Sequence, residues 1–223
     1  MMEPAEPVLS EIPPALGQMT RVVGHDVKNK LAVIRNSVYF LNMKLGQGDE
    51  KVQKHLRILE KEIDNANRII TDLMDFALVK EPVLQETNIK AVIADALSQV
   101  SLPDNWKATT RLQDVLPPLR ADAGQLQRAF TNIILRITEG APEGGVLQIV
   151  AREQGNYMEI EFGAANLVIP EGNPSEMFSP LASSGSFGLG VTVSKRLVEK
   201  QGGAIEVRRL PGAGAAFIVR LPL

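Results

Sequence analysis

The sequence predicts a pair of long helices followed by a layered α/β domain, and two periodicities predict this fold class. Up to about residue 79, apolar residues recur in steps of three and four, as they do in packed helices. Beyond Pro82, short alternating stretches bounded by glycine and proline turns are mixed with helical stretches. We therefore predict a flexible lead-in over residues 1–14, a helical hairpin over 15–79, a linker over 80–87 and an α/β sandwich over 88–223.

Composition limits what the protein can do. The 223 residues are 44% hydrophobic, enough for two modest cores, and a net charge of −2 argues against a nucleic-acid partner. The sequence has no cysteine, which excludes disulfides and thiolate metal sites, and its two histidines are far apart, which argues against a histidine-based metal site. No apolar run approaches the roughly 18 residues of a membrane span, and no signal peptide is visible. We expect a cytoplasmic protein that does not insert into membranes.

The first predicted helix begins at Pro13-Pro14, because proline suits a first turn, and ends at about Leu45 before the turn residues 46–48. An apolar seam runs along it. His25 lies two positions from the seam residues on either side of it, so at about 100° per residue its side chain points away from the seam. The seam residues are Val23, Val27, Ile34, Val38, Leu41 and Leu45.

His25 is the centre of the candidate catalytic site. Asp26 follows it directly, and Asn29 lies one turn later on the same side of the helix. A histidine presented to solvent on a rigid helix, beside a carboxylate and an amide, is suited to proton transfer or nucleophilic attack. A solvated surface histidine is the simpler alternative, and we assign His55 to that class because it has no comparable neighbours.

The second helix has the strongest periodic signal, and Asp49 is placed to cap its start. Its seam needs a bundle partner, and the first helix provides one across a short turn. Ile69, Met74 and Phe76 fall outside the seam, so a second copy of the hairpin would cover them. We predict a homodimer with a four-helix bundle. The seam residues are Val52, Leu56, Leu59, Ile63, Ala66, Ile70, Leu73 and Ala77.

The second half of the chain combines helices with a mixed, mostly antiparallel sheet. Turn residues at 154–156 predict a hairpin between two strands, and Gly202-Gly203 caps the last helix. The predicted helices cover residues 89–100, 125–137 and 188–200, and the predicted strands cover residues 108–112, 118–120, 146–152, 157–162, 204–207 and 215–221.

In this order, the motifs resemble the core of a sensor histidine kinase over about residues 18–223. The stretch 25–29, His-Asp-Val-Lys-Asn, resembles the family's phosphoacceptor box, although the proline that usually follows the asparagine is Lys30 here. The more specific match is Gly188-Leu189-Gly190, the helix after it, Gly202-Gly203 and the glycine turn at 211–214. The resemblance implies a histidine-phosphotransfer hairpin and a sandwich of the histidine-kinase ATPase type.

The resemblance also implies a degenerate nucleotide pocket. Asn132 matches the family, but Arg136 replaces the asparagine that ligates Mg²⁺, and arginine has no lone pair to offer a metal. Ala164 replaces the aspartate that accepts a hydrogen bond from adenine, and Asn166 and Val168 replace two glycines. Residues 171–187 are short for an ATP lid. The degenerate pocket comprises Asn132, Arg136, Ala164, Gly188 and Gly190, so we expect no metal site and no cofactor.

Three functions follow from the resemblance. The first is a phosphorelay histidine phosphotransferase, like the dimeric phosphotransferases derived from kinases, that exchanges phosphoryl groups with response-regulator receiver domains through His25. Asp26 would orient His25 and take up its other ring proton, Asn29 could position a water, and Lys28 and Arg35 could offset phosphate charge. The second is a sensor kinase that uses ATP and Mg²⁺. The third is a non-catalytic scaffold that binds regulators.

Overall fold

The computed structural model describes residues 14–45, 48–141, 143–169, 172–178, 188–210 and 214–223. The chain divides into two compact units between Leu78 and Val79. Residues 1–13 of the predicted lead-in, the predicted turn residues Gly46 and Gln47, most of the predicted lid and residues 211–213 of the predicted glycine turn lie outside the described residues.

The first unit is a helical hairpin, as predicted. Helix α1 covers Pro14–Leu45 and helix α2 covers Glu50–Ala77. Asp49 caps α2 as predicted, because its carboxylate accepts a hydrogen bond of 2.8 Å from the backbone N–H of Lys51. The cap satisfies one of the N–H groups that the first turn of a helix leaves without a partner.

The core of the hairpin contains one residue of the predicted α1 seam, Val38, and otherwise uses residues of α1 outside that seam. Val38 packs with Leu56 and Ile63, and Leu31 adds to this cluster. Gly24 is buried as well, so the row that meets α2 is spaced by seven residues at positions 24, 31 and 38. Apart from Val38, most of the predicted seam lies beside this row and is exposed within one chain: Val23, Ile34, Leu41 and Leu45.

Helix α2 also buries only part of its predicted seam. Leu56 and Ile63 are 5% exposed, whereas Leu59 is 46% exposed and Leu73 is 42% exposed. The 4-3 pattern contains two rows of residues, and a single partner helix covers one of them. The other row therefore remains an exposed apolar surface on the hairpin.

The second unit contains a five-stranded sheet in the order β2-β4-β5-β7-β6 and a separate two-stranded sheet, β1-β3. β2 and β4 are parallel, and the other pairs are antiparallel, as the sequence predicts. The strands are β1 Gln85–Thr87, β2 Trp106–Leu112, β3 Leu119–Ala121, β4 Gly145–Gln154, β5 Tyr157–Ala164, β6 Ala204–Arg209 and β7 Ala215–Pro222. The helices are α3 Ile89–Ser98, α4 Ala123–Gly140, α5 Gly188–Glu199 and a 3-10 helix at Pro174–Phe178.

Helix α4 supplies the centre of this core. Phe130 on α4 packs against Phe162 on β5, with ring centroids 5.0 Å apart. The spacing of the apolar residues on α4 explains this inward face. The fully buried residues of that face are Leu126, Phe130, Ile133, Ile134 and Ile137.

Two predicted glycine positions are confirmed by backbone geometry. Gly155 has a φ of 62° in the turn between β4 and β5, and Gly202 has a φ of 75° after α5. The backbone N–H of Gly203 donates to the carbonyl of Val198 at 3.1 Å, which is the long hydrogen bond of a Schellman cap.

The predicted linker is held on the second unit. Its last residues form β1, which pairs with β3. Before β1, Lys200 Nζ lies 2.5 Å from Glu81 Oε1, and Gln125 Nε2 donates to the carbonyl of Lys80 at 3.2 Å. The backbone N–H of Val83 donates to Asp122 at 3.0 Å. These long-range bonds were not visible in the local composition that suggested a linker.

Candidate functional site

The candidate phosphoacceptor His25 lies on α1, beside a close contact with α2. Gly24 faces Met74 of α2, and a Cβ atom on Gly24 would lie 2.5 Å from Met74 Sδ. Because Gly24 points inward, the next side chain is turned by about 100° toward solvent. The His25 side chain is accordingly 71% exposed. The prediction that His25 points away from the packed face agrees with the structure.

Asn29 and Asp26 both lie near a single ring nitrogen of His25. Asn29 Nδ2 is 3.2 Å from His25 Nδ1, and Asp26 Oδ1 is 3.8 Å from the same nitrogen. The first distance is a long hydrogen bond, and the second is too long for one. The three residues that the sequence grouped are therefore together, with Nε2 of His25 on the side that neither neighbour occupies.

Two other predicted positions around His25 behave differently. Arg35 forms an ion pair with Asp64 of α2, so its guanidinium is engaged with the neighbouring helix. His55 is an exposed residue of α2, as expected for a surface histidine. Lys28, the other basic residue suggested to offset phosphate charge, is nearer to His25 in sequence than Arg35 is. Its side chain is half-buried.

In the second unit, Asn132 links α4 to the start of α5. Its Nδ2 donates to the carbonyl of Gly190 at 3.1 Å. Ser194, one turn further along α5, donates to the carbonyl of Ala129 at 3.1 Å. These bonds fix the glycine-rich beginning of α5 against α4, and they use the Asn132 amide as a structural group.

Arg136 lies one turn after Asn132 and is packed along its own helix. A Cβ on Gly140 would lie 2.8 Å from Arg136 Nη1 and 2.7 Å from Leu167 Cδ1, so the missing side chain at 140 leaves room for the guanidinium. Burial lowers the pKa of Arg136, and the nearby Glu139 carboxylate acts in the opposite direction. Arginine retains its charge under any physiological condition.

The end of β5 and the turn after it contain the other positions at which the sequence departs from the family. Ala164 is 1% exposed, and its methyl side chain has no hydrogen-bonding atom. The Asn166 side chain donates a hydrogen bond to the carbonyl of Gly144 in the turn before β4. A Cβ on Gly145 would lie 2.7 Å from Asn166 Oδ1, so the two turns are in contact. Val168 is 71% exposed.

Phe178, which lies within the predicted lid, is anchored to α5, a feature that the sequence did not reveal. Thr192 Oγ1 donates to the carbonyl of Phe178 at 2.7 Å, and Lys195 Nζ lies 5.5 Å from the centre of the Phe178 ring. Thr192 and Lys195 are three residues apart on α5 and so share a face. That spacing was the feature of the sequence that could have predicted a shared contact for Thr192 and Lys195.

The described residues contain no group of three or more histidine, aspartate or glutamate side chains that could hold a metal ion. None of the helices in the described part of the chain is long and apolar enough to cross a membrane.

Comparison with known proteins identifies both units. Residues 15–82 match the His Kinase A (phospho-acceptor) domain, and residues 121–223 match the Histidine kinase-, DNA gyrase B-, and HSP90-like ATPase family. Histidine kinases use ATP and Mg²⁺, as expected for the second candidate function, the sensor kinase.

Among curated proteins, the sensor histidine kinase ZraS of Escherichia coli is 27% identical over 214 residues, which cover 94% of this chain and 46% of ZraS. Sporulation kinase E of Bacillus subtilis is 22% identical over 216 residues, covering 93% of this chain and 29% of the kinase. The chain thus spans less than half the length of these relatives.

Solved structures share the fold. Full-length ShkA in complex with AMPPNP has a TM-score of 0.74 at 17% identity. The match covers 92% of this chain and 46% of the ShkA chain. The histidine kinase ThkA in complex with the response regulator TrrA has a TM-score of 0.65 at 21% identity. The match covers 93% of this chain and 61% of the solved chain. The chain is a histidine kinase core, in which a phosphoacceptor-type helical hairpin precedes a domain with the histidine-kinase ATPase fold.

Proposed function

We propose that the protein transfers phosphoryl groups in a two-component system through His25, and that the phosphoryl donor is the aspartyl phosphate of a response-regulator receiver domain. The proposal is carried by a contrast between the two units. His25 is exposed on a packed helix with Asp26 and Asn29 beside it, whereas position 164 has no acceptor and position 136 is a cation.

In the transfer step, the lone pair of His25 Nε2 attacks the phosphorus of the receiver's acyl phosphate. The bond between phosphorus and the aspartyl oxygen breaks, and the receiver regains a free carboxylate. The ring proton is then on Nδ1, where the Asp26 carboxylate can accept it in a hydrogen bond after a small side-chain rotation from 3.8 Å. An acyl phosphate is a reactive donor, so the protein need supply mainly alignment.

The residues of the second unit argue against ATP as the donor. By the family resemblance, Ala164 has lost a charged acceptor for adenine, which costs about 1.5–3 kcal/mol, or about 10- to 150-fold in affinity. Arg136 stands at the family's Mg²⁺-ligand position, where a second cation repels the metal. The Asn166 side chain, in place of a glycine, is already bonded to Gly144.

The alternative function is that of a sensor histidine kinase that phosphorylates His25 from ATP. The similarity to ZraS and to the other curated kinases favours this alternative, because these relatives are named as sensor histidine kinases. Response-regulator receivers would be the partners in both cases. The two functions differ in the source of the phosphoryl group, and that difference can be measured directly.

The test is to follow a labelled phosphoryl group on the full chain. One sample receives labelled ATP with Mg²⁺, and another receives a phosphorylated receiver domain. We expect label on the protein only from the receiver, and none on the His25→Ala variant. His55→Ala is the matched control and should accept label like the wild type. Efficient labelling from ATP would establish the kinase alternative, and no labelling from either donor would leave the scaffold function.

A further inference from the structure

The arrangement around His25 places two groups with opposite requirements at one atom. Asn29 Nδ2 lies 3.2 Å from Nδ1 of the ring, and Asp26 Oδ1 lies 3.8 Å from that same Nδ1. An amide nitrogen has hydrogens to donate and no lone pair to accept with, whereas an ionised carboxylate can only accept. The two neighbours therefore favour different tautomers of the neutral ring.

The contact with the Asn29 amide nitrogen is compatible with one tautomer of the neutral ring. Because the amide donates, Nδ1 must be the unprotonated nitrogen, and the proton of the neutral imidazole must be on Nε2. In this form the lone pair of Nδ1 is occupied by Asn29, and Nε2 has no lone pair in the ring plane. Neither nitrogen is then a competent nucleophile toward phosphorus.

The contact with Asp26 requires the other tautomer. When Asp26 accepts a hydrogen bond from Nδ1–H, the lone pair is on Nε2, which faces away from both neighbours. The carboxylate cannot approach Nδ1 as an acceptor while the Asn29 amide donates to it. Release of Asn29 is thus a condition for the Asp26-oriented, reactive form.

We propose that Asn29 is a positioning residue that holds His25 in the unreactive Nε2–H tautomer, so that phosphoryl transfer requires His25 to exchange Asn29 for Asp26 at Nδ1. The consequence for reactivity rests on the proposed function of His25, whereas the tautomer itself does not. A receiver domain or a rearrangement of α1 that draws the Asn29 amide away would activate the histidine without moving Asp26.

The tautomer can be measured without any phosphoryl donor. Protein labelled with ¹⁵N-histidine is observed by long-range ¹H–¹⁵N correlation at about pH 9, well above the ordinary histidine pKa of about 6.5. His55→Gln identifies the His25 signals. We expect the Nε2–H form to dominate in the wild type. Asn29→Ala should raise the ratio of Nδ1–H to Nε2–H by about fivefold, the effect of one ordinary hydrogen bond.

Two further variants make the result specific. Asn29→Asp replaces the donor by an acceptor, and it should shift the ratio beyond that of Asn29→Ala toward Nδ1–H. Asn36→Ala removes another exposed asparagine of α1 and should leave the ratio unchanged. An unaltered ratio in Asn29→Ala, with helicity retained by circular dichroism, would overturn the proposal.

A kinetic measurement tests the consequence. With a phosphorylated receiver as donor, Asn29→Ala should accept label up to about fivefold faster than the wild type, because more of its histidine is in the reactive tautomer. A slower rate despite a shifted tautomer would also overturn the positioning role. If the tautomer shifts but no variant accepts label from a receiver, the proposed function fails and the assignment of the resting tautomer stands.

Discussion

Gly24 and Met74 form a contact between α1 and α2 that has no room for a further atom. A Cβ on Gly24 would lie 2.5 Å from Met74 Sδ and 2.6 Å from its Cγ. A glycine within a helix is unfavourable by about 1 kcal/mol relative to alanine, so its presence next to His25 is explained by this close approach.

The first prediction concerns that contact. Gly24→Leu should lower the free energy of unfolding by about 1–3 kcal/mol, because overpacking displaces Met74. Met74→Ala added to Gly24→Leu should recover part of the loss, since it removes the atoms that collide. Urea denaturation followed by circular dichroism measures both. Ala32→Leu, at an exposed position of the same helix, is the control and should change stability little; an equal loss there would refute the explanation.

The second prediction concerns Glu159, which is 3% exposed on β5. Burial raises the pKa of its carboxyl, but hydrogen bonds and charges from Arg152 and Arg220 outweigh burial, so the net pKa is lowered. A carboxyl with a lowered pKa in the folded state stabilises the fold above its unfolded pKa of about 4.3, and this stability is lost as the pH falls through the folded value.

The measurement is the stability of Glu159→Gln as a function of pH. At neutral pH the variant should be less stable than the wild type by about 1–3 kcal/mol, because Arg152 loses its charged partner and Arg220 retains only Glu206. Below about pH 4.3 the difference should shrink, since the wild-type carboxyl is then being protonated. Glu153→Gln, exposed on β4, is the control. A difference that stays constant from pH 7 to about pH 3 would contradict the assigned ion pairs.

Some of this structure was predictable because it depends on near neighbours in the sequence. The inward face of α4, the cap at Asp49 and the grouping of His25 with Asn29 follow from helical spacing, which is a local property. The row of α1 that meets α2 was predicted only at Val38, because this row also contains Gly24, which a pattern of apolar residues does not register. The bond from Asn166 to Gly144 joins turns that are 22 residues apart, and no local pattern encodes it.

The third prediction is that ATP with Mg²⁺ binds with a dissociation constant above about 1 mM, given the lost acceptor at 164 and the cation at 136. The double variant Ala164→Asp with Arg136→Asn should bind at least about tenfold more tightly, because it restores one charged acceptor and one metal ligand. Asn166, whose side chain remains bonded to Gly144, limits the gain. Isothermal titration calorimetry measures both proteins.

The control for nucleotide binding is Arg111→Asn, an exposed arginine on β2. It removes the same charge as Arg136→Asn but leaves the pocket unaltered, so its affinity for ATP should equal that of the wild type. Micromolar binding by the wild type would contradict the degenerate pocket and would favour the ATP-dependent kinase.

The fourth prediction is that the chain forms a homodimer through the apolar row that a single hairpin leaves exposed. Leu59 and Leu73 belong to that row and are 46% and 42% exposed. Leu59→Asp with Leu73→Asp should give monomers that keep their helical content, since neither side chain belongs to the buried intrachain core. Sedimentation velocity at micromolar concentration measures the state of association, and circular dichroism measures helicity.

The choice of positions decides what this experiment tests. Ile63 also belongs to the predicted seam, but it is 5% exposed within one chain and packs with Val38 and Leu56. A charge at Ile63 would unfold the hairpin, because a buried unpaired charge is strongly unfavourable, and loss of the dimer would then carry no information.

Lys54→Asp, at an exposed position of α2 outside both rows, controls for added negative charge and should remain dimeric. A wild type that sediments as a monomer would require another cover for the exposed row, and a dimer that survives both leucine substitutions would place the interface elsewhere on the chain.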